Sequence, residues 1–268
     1  MRILLSSQEI KAIQLEILAA VDDFCRKNDL KYSLCGGTLL GAVRHKGYIP
    51  WDDDIDLMMP RVDYDRFIAT FKADGMNVVN MAEDDDCVET FTKICKQGTI
   101  LVDKNFGREL WGVNVDLFPI DGGPSENVDA YYQQVDAQRE KLFKICPYYK
   151  AVKGKNRIPL LLKYCLKRIV YFYPGSFRSL KNKVIATQKA IPYETSPVVG
   201  VYYWVEKART FMPKAVYNEL APVTFEGKDY LAVRQLDYYL TRIFGDYMQL
   251  PPVEKRVSHH AYDSYIES

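Results

Sequence analysis

The stretch CGGTLLGAVRHKGYIPWDDDIDLMM, residues 35–59, constrains this chain more than any other. It sets a glycine pair, Gly36 and Gly37, ahead of the aspartates Asp52, Asp53, Asp54 and Asp56. From Asp54 the pattern alternates acidic and apolar residues and then runs apolar through Leu57, Met58 and Met59, which predicts a strand entering a core. Side chains two apart on a strand share a face, so Asp54 and Asp56 are expected to point the same way, about 7 Å apart. Like-charged carboxylates on a partly buried face repel one another unless a proton or a cation relieves them. A hard divalent ion, Mg²⁺ or Mn²⁺, suits such an oxygen pair.

The glycine half supplies a complementary piece. Residues 31–35 read as a short strand and residues 38–44 as a helix whose first turn Thr38 would cap. A strand, a Gly-Gly turn and a helix start let backbone N–H groups approach a phosphate, with the helix dipole favouring the anion. Gly36, Gly37, Thr38 and Arg44 are therefore candidate phosphate contacts, and Trp51 and Asp52 candidate donor or acceptor contacts. Other phosphate and metal loops do not fit. Gly41 is followed by Ala42 and Val43, not by the Lys-Ser/Thr of a P-loop, and Gly-x-Gly-x-x-Gly does not occur. A calcium loop fails because Leu57 stands where its tight-turn glycine belongs and Asp63 where a bidentate Glu belongs. Ile55 and the apolar run after Asp56 argue against a merely solvated acidic turn.

The string GGTLLGAVRHKGYIPWDDDIDLMMPR, residues 36–61, resembles the signature of the LicD family, the phosphocholine transferases that decorate bacterial surface glycans and are related to fukutin-type ribitol-phosphate transferases. That family is similar to the nucleotidyltransferase superfamily, in which a Gly-Gly or Gly-Ser turn precedes Asp-x-Asp and a third carboxylate lies on a later strand. The gap between Gly37 and Asp54 is longer than the superfamily's usual one and matches the LicD-type pattern.

A chain of 268 residues holds one large domain or two small ones and can bury a substantial core. The net charge of +1 hides an asymmetry. Residues 44–138 hold 9 Lys/Arg against 19 Asp/Glu, whereas residues 139–183 hold 13 Lys/Arg against the single Glu140. Cys25, Cys35, Cys87, Cys95, Cys146 and Cys165 form no C-x-x-C pair or zinc spacing and read as reduced core thiols of a cytoplasmic protein. No signal peptide and no apolar run of about 18 residues is apparent, so a membrane-spanning chain is not expected.

Along the chain, residues 7–28 read as an amphipathic helix covering the first strand, and residues 62–71 as a second helix after Pro60 ends the Asp strand. Residues 76–81, 90–96, 99–103 and 113–118 alternate like strands of a mixed sheet, separated by the acidic loop 83–86 and by residues 105–107. In the last of them Asp116 is set within apolar neighbours, where an unpaired charge is costly. The resemblance makes Asp116 the third carboxylate of the site, and Lys93 reads either as a phosphate contact or as a plain surface lysine. Residues 121–124 read as a breaker, and the predicted organisation is a catalytic core, residues 1–123, followed by a helical basic region, residues 124–268, with a soft boundary. Helices are expected over residues 128–145, 159–173 and 177–190, a hairpin over 224–233 and a helix over 236–244. The basic loop 150–157 and the helix after it suit a core helix with a solvated face, or a surface meeting anionic lipid or glycan phosphate; no nucleic-acid-binding motif accompanies the charge. The end of the chain, with Lys255, Arg256, His259 and His260, again resembles the LicD-type pattern, which implies contacts to donor or acceptor.

The expected fold is α+β, with a nucleotidyltransferase-like mixed sheet flanked by helices. In the reading that joins residues and resemblance, Asp54, Asp56 and Asp116 hold Mg²⁺ or Mn²⁺ and Asp116 accepts a hydroxyl proton. The resemblance implies transfer of a phospho-alcohol, foremost phosphocholine from CDP-choline, to a sugar hydroxyl of a free or lipid-linked glycan. CDP-ribitol or CDP-glycerol transfer, and a non-catalytic nucleotide- or glycan-binding module of the same fold, are the alternatives. The expected location is cytoplasmic, peripheral at the inner face of the membrane if the basic region meets lipid, with no nucleic acid as partner.

Overall fold

A computed structural model describes residues 1–80, 89–104, 109–145, 157–170, 176–202, 207–257 and 262–267. The chain opens with β1 (Arg2–Leu4), α1 (Ser7–Lys27), β2 (Ser33–Leu34) and α2 (Gly36–His45). β3 (Asp56–Pro60), α3 (Arg61–Thr70), β4 (Met76–Val79), β5 (Thr92–Lys96), β6 (Thr99–Asp103), β7 (Glu109–Leu110) and β8 (Asn114–Gly123) follow. Three helices come next, α4 (Val128–Lys144), α5 (Arg157–Val170) and α6 (Phe177–Gln188). The last part holds β9 (Val198–Gly200), β10 (Met212–Pro213), α7 (Lys214–Asn218), the hairpin β11 (Leu220–Phe225) and β12 (Lys228–Val233), α8 (Leu236–Phe244) and β13 (Tyr262–Glu267). The fold is α+β. None of the described helices is long and apolar enough to cross a membrane.

β8 organises the central sheet. Its first half pairs antiparallel with β5, its middle pairs parallel with β3, and its last three residues pair antiparallel with β9; β2 closes the sheet beyond β3 and β4 lies beyond β5. β8 is buried along almost its whole length, and Leu57, Met58, Met59, Ile94, Val115 and Leu117 form the centre of the core. α1 packs chiefly against β8 and β5 rather than over β2, its start fixed by a capping box in which Ser6 and Glu9 each accept the other's backbone N–H. A second sheet, ordered β1–β13–β6–β7, joins the two ends of the chain.

Two local expectations are corrected. The break comes at Pro124 rather than at Asp121: β8 runs on through Gly123, because residues 121–123 pair with β9, and the glycines there leave room for close neighbours. A Cβ at Gly122 would lie 2.4 Å from the Ile191 carbonyl oxygen, and one at Gly123 2.5 Å from the Phe211 ring. The Asp strand begins at Asp56, not Asp54, since residues 52–55 form a non-regular approach to the sheet. Of the cysteines, Cys25, Cys35 and Cys95 are buried thiols as expected, but Cys165 is exposed on α5; Cys87 and Cys146 lie outside the described residues.

Candidate active site

The site follows from strand register. Parallel pairing of β3 with β8 sets Asp56 beside Asp116, and antiparallel pairing of β5 with β8 sets Lys93 on the other side of Asp116. Cross-strand partners share a face, so Asp56, Asp116 and Lys93 form one row across three adjacent strands. The Lys93 ammonium donates to both Asp116 carboxylate oxygens at 2.8 Å, and the Asn114 amide donates to Oδ1 at 3.0 Å. Burial alone would lower the Lys93 pKa, but Asp116, and then Glu89, hold it above the ordinary lysine value.

Asp56 has the opposite surroundings. Burial pushes its carboxyl well above the ordinary value, and Asp54, Asp116 and Asp52 push it further in the same direction; Lys93 opposes them only in part. Lys93 thus contacts Asp116 at the edge of a pocket where burial and neighbouring carboxylates act together on Asp56. The loop that brings Asp52–Asp54 there is tied to α1: the Gln14 amide donates to the Asp53 carbonyl at 2.8 Å and accepts from the Tyr48 hydroxyl at 2.9 Å.

This row forms one side of a pocket of about 430 Å³ between the central sheet and the outer one. Asp53, Asp54, Asp56, Glu89, Lys93, Asn114 and Asp116 give it a polar floor, and Phe91, Leu101, Leu110, Trp111, Phe118 and Tyr262 an apolar and aromatic wall. Its oxygen-rich floor fits a hard divalent cation in donor chemistry. Among the described residues no group of three or more His, Cys, Asp or Glu is arranged to hold a metal ion, and Lys93 is the cation in contact with Asp116.

The glycine turn is built differently from the expected open cradle. α2 starts at Gly36, whose φ of +54° suits glycine, and its N-cap is Cys35. Thr38 is not the cap; it is buried, and its hydroxyl accepts the Asp56 N–H at 2.8 Å, locking the glycine turn to the start of the Asp strand. An Asp52 carboxylate oxygen lies 2.6 Å from where a Cβ of Gly37 would be, so only glycine lets that acid approach the helix start.

Arg44 lies in the last turn of α2, away from the glycine turn, and donates to the Tyr247 carbonyl at 2.9 Å. There it meets the C-terminal segment: the Arg256 guanidinium sits 5.5 Å above the Trp51 ring, and burial and then Arg256 lower the Arg44 pKa. Arg44, Trp51 and Arg256 are therefore one cluster, distinct from the acidic row. Lys255 is exposed on a short 3₁₀ turn, Val253–Lys255; His259 and His260 lie outside the described residues, as do the acidic loop 83–86 and residues 105–107.

Sequence reasoning missed Gln14, Glu89, Asn114, Trp111 and Tyr262. Two of them carried a signal. Gln14 interrupts the apolar face of α1 between Ile13 and Ile17, and Asn114 precedes Asp116 by two on a strand and so shares its face.

Comparison with known proteins gives the family. The family model "LicD/FKTN/FKRP, nucleotidyltransferase domain" matches residues 29–149, a span that includes the glycine turn, Asp54, Asp56, Lys93 and Asp116. The lipopolysaccharide cholinephosphotransferase LicD of Haemophilus influenzae is 31% identical over 272 residues, covering 98% of each chain. Shorter stretches are similar to uncharacterized proteins of Rickettsia typhi, 38% identical over 74 residues (26% of this chain, 24% of that one), and Rickettsia prowazekii, 48% identical over 48 residues (18% of each). On the full-length similarity to the Haemophilus protein and the match of the family model, this chain belongs to the LicD family.

Proposed function

We propose that this protein transfers phosphocholine from CDP-choline to a sugar hydroxyl of a bacterial surface glycan, with lipopolysaccharide or its lipid-linked precursor as the acceptor. The full-length similarity to the Haemophilus cholinephosphotransferase supports the phosphocholine and lipopolysaccharide parts. The observation that carries the chemistry is the row Asp56–Asp116–Lys93 on the floor of a pocket large enough for a donor headgroup. In the reaction the acceptor oxygen attacks the choline-bearing phosphorus, the bond from that phosphorus to CMP breaks, and the hydroxyl proton passes to a carboxylate. Asp116, central in the row, is assigned that proton, and Lys93, which donates to both Asp116 oxygens, is assigned the phosphoryl oxygens. Asp54, Asp56 and Asp116 would hold Mg²⁺ or Mn²⁺, which when bound neutralises the diphosphate. The acids with Trp111 and Tyr262 suit a trimethylammonium group, which aromatic faces attract. Arg44, Trp51 and Arg256 are candidate contacts for the rest of donor or acceptor.

The test is CMP release with Mg²⁺ and a panel of CDP-choline, CDP-ribitol and CDP-glycerol, with and without lipopolysaccharide-type acceptors. Release from CDP-choline that is lost on chelation is expected. Release only from another CDP-alcohol would replace the donor, and none from any would reject the transferase reading.

A further inference from the structure

α5 wears its apolar side outward. Sixteen large apolar side chains are exposed among the described residues, and five of them, Ile158, Leu161, Leu162, Leu166 and Ile169, belong to this one helix, each between 38 and 74% exposed. At about 100° per residue these five and the exposed Cys165 fall within an arc of about 140°. Among the described side chains of this helix, Tyr164 and Lys167, on the opposite side, are half-buried. A core helix turns its apolar arc inward; the described side chains of α5 do the reverse, with the exposed Lys163 beyond one edge of the arc.

The charge decides what would cover this arc. α5 contains no acidic residue, and residues 139–183 around it carry 13 Lys/Arg against one Glu. A second copy would bring that excess against itself. An anionic lipid surface satisfies both features at once, hydrocarbon for the arc and phosphate for the basic residues of this stretch of sequence, the exposed Lys163 among them. We infer that α5 is an interfacial helix that seats this protein on an anionic membrane, with Leu162, Leu166 and Ile169 entering the boundary between headgroups and acyl chains. The inference does not depend on the donor or acceptor proposed above.

Vesicle co-sedimentation of the full chain tests it, comparing phosphatidylethanolamine–phosphatidylglycerol vesicles with neutral phosphatidylethanolamine–phosphatidylcholine ones. Binding to the anionic vesicles alone is expected, weakening as salt shortens the Debye length. The variant Leu162→Ser/Leu166→Ser/Ile169→Ser should keep the melting temperature, because these side chains are exposed, and lose binding by about tenfold or more, because three large apolar groups no longer leave water. A solvatochromic dye on Cys165, with Cys87 and Cys146 changed to Ser, should shift to the blue on anionic vesicles only. Equal failure to bind both vesicles overturns the inference, as does full binding by the triple variant, which would reduce the contact to surface charge. Concentration-dependent dimerisation that the triple variant abolishes, without vesicle binding by the parent, would assign the arc to a second copy and equally overturn it.

Discussion

β8 carries two aspartates with opposite fates. Asp121, in its last part, is buried and held by the Arg61 guanidinium through two hydrogen bonds of 2.6 Å. Asp116, five residues earlier and so on the other face, shares one lysine with a crowd of carboxylates at a pocket. Burial raises the carboxyl pKa of both Asp121 and Asp56, the crowded neighbour of Asp116. The neighbours then diverge, for Arg61 opposes the rise at Asp121 whereas Asp54, Asp116 and Asp52 add to it at Asp56. A closed pair stabilises a fold; a carboxylate-rich cluster open to a pocket is where the proposed function puts substrate and cation.

The contrast breaks most visibly at Asp121. Asp121→Asn leaves the buried Arg61 guanidinium only the longer, half-exposed contact with Asp65 at 3.5 Å, so denaturant unfolding should show a loss of about 3 kcal/mol that Mg²⁺ does not restore. A loss below about 1 kcal/mol would mean that the pair is not closed to water. Lys93→Met makes the parallel cut at the open site. Because water reaches this pair from the pocket, the loss should be smaller, about 1–2 kcal/mol, and added Mg²⁺ should recover part of it by supplying the missing charge. Equal losses with no recovery would erase the distinction.

A smaller effect is the pH dependence of the metal-free protein. Folded Asp56 holds its proton to higher pH than the unfolded chain, where an aspartate titrates near about 3.9. Its contribution is therefore full below that unfolded value and is lost as pH rises through the raised folded one. Thermal melts in chelator should show stability falling from about pH 4 upward and then levelling. Asp56→Asn should flatten that slope; a slope unchanged in the variant would place the crowding elsewhere.

How much of this was legible in the sequence depends on distance along the chain. Asp116 stood out because a charge inside an apolar strand needs a reason, and the helices showed their periods, residues 236–244 being read to the residue. Pairing was not legible. No local pattern says that Lys93 lands opposite Asp116, since that register is set by β5 against β8 across 23 positions. Likewise β1 and β13 are short and mostly exposed, so neither carries the buried alternation that marks a strand. Gly122 and Gly123 looked like punctuation, and only Ile191 and Phe211, distant in sequence, reveal them as a close approach within a strand. Trp111 and Tyr262 were two among 35 aromatic residues, the sum of 20 Tyr, 12 Phe and 3 Trp, until the sheets placed them on one pocket wall.

The central claim is that the crowded row on β3, β8 and β5 is the reaction centre. Its most direct test is CMP release by Asp56→Asn at saturating CDP-choline and Mg²⁺, in protein whose metal-free melting temperature is at or above that of the parent. The account predicts a fall of about 100-fold or more, because the proposal makes Asp56 an ion ligand, and its loss relieves repulsion without unfolding the protein. Near-parental release by a folded Asp56→Asn protein would contradict it.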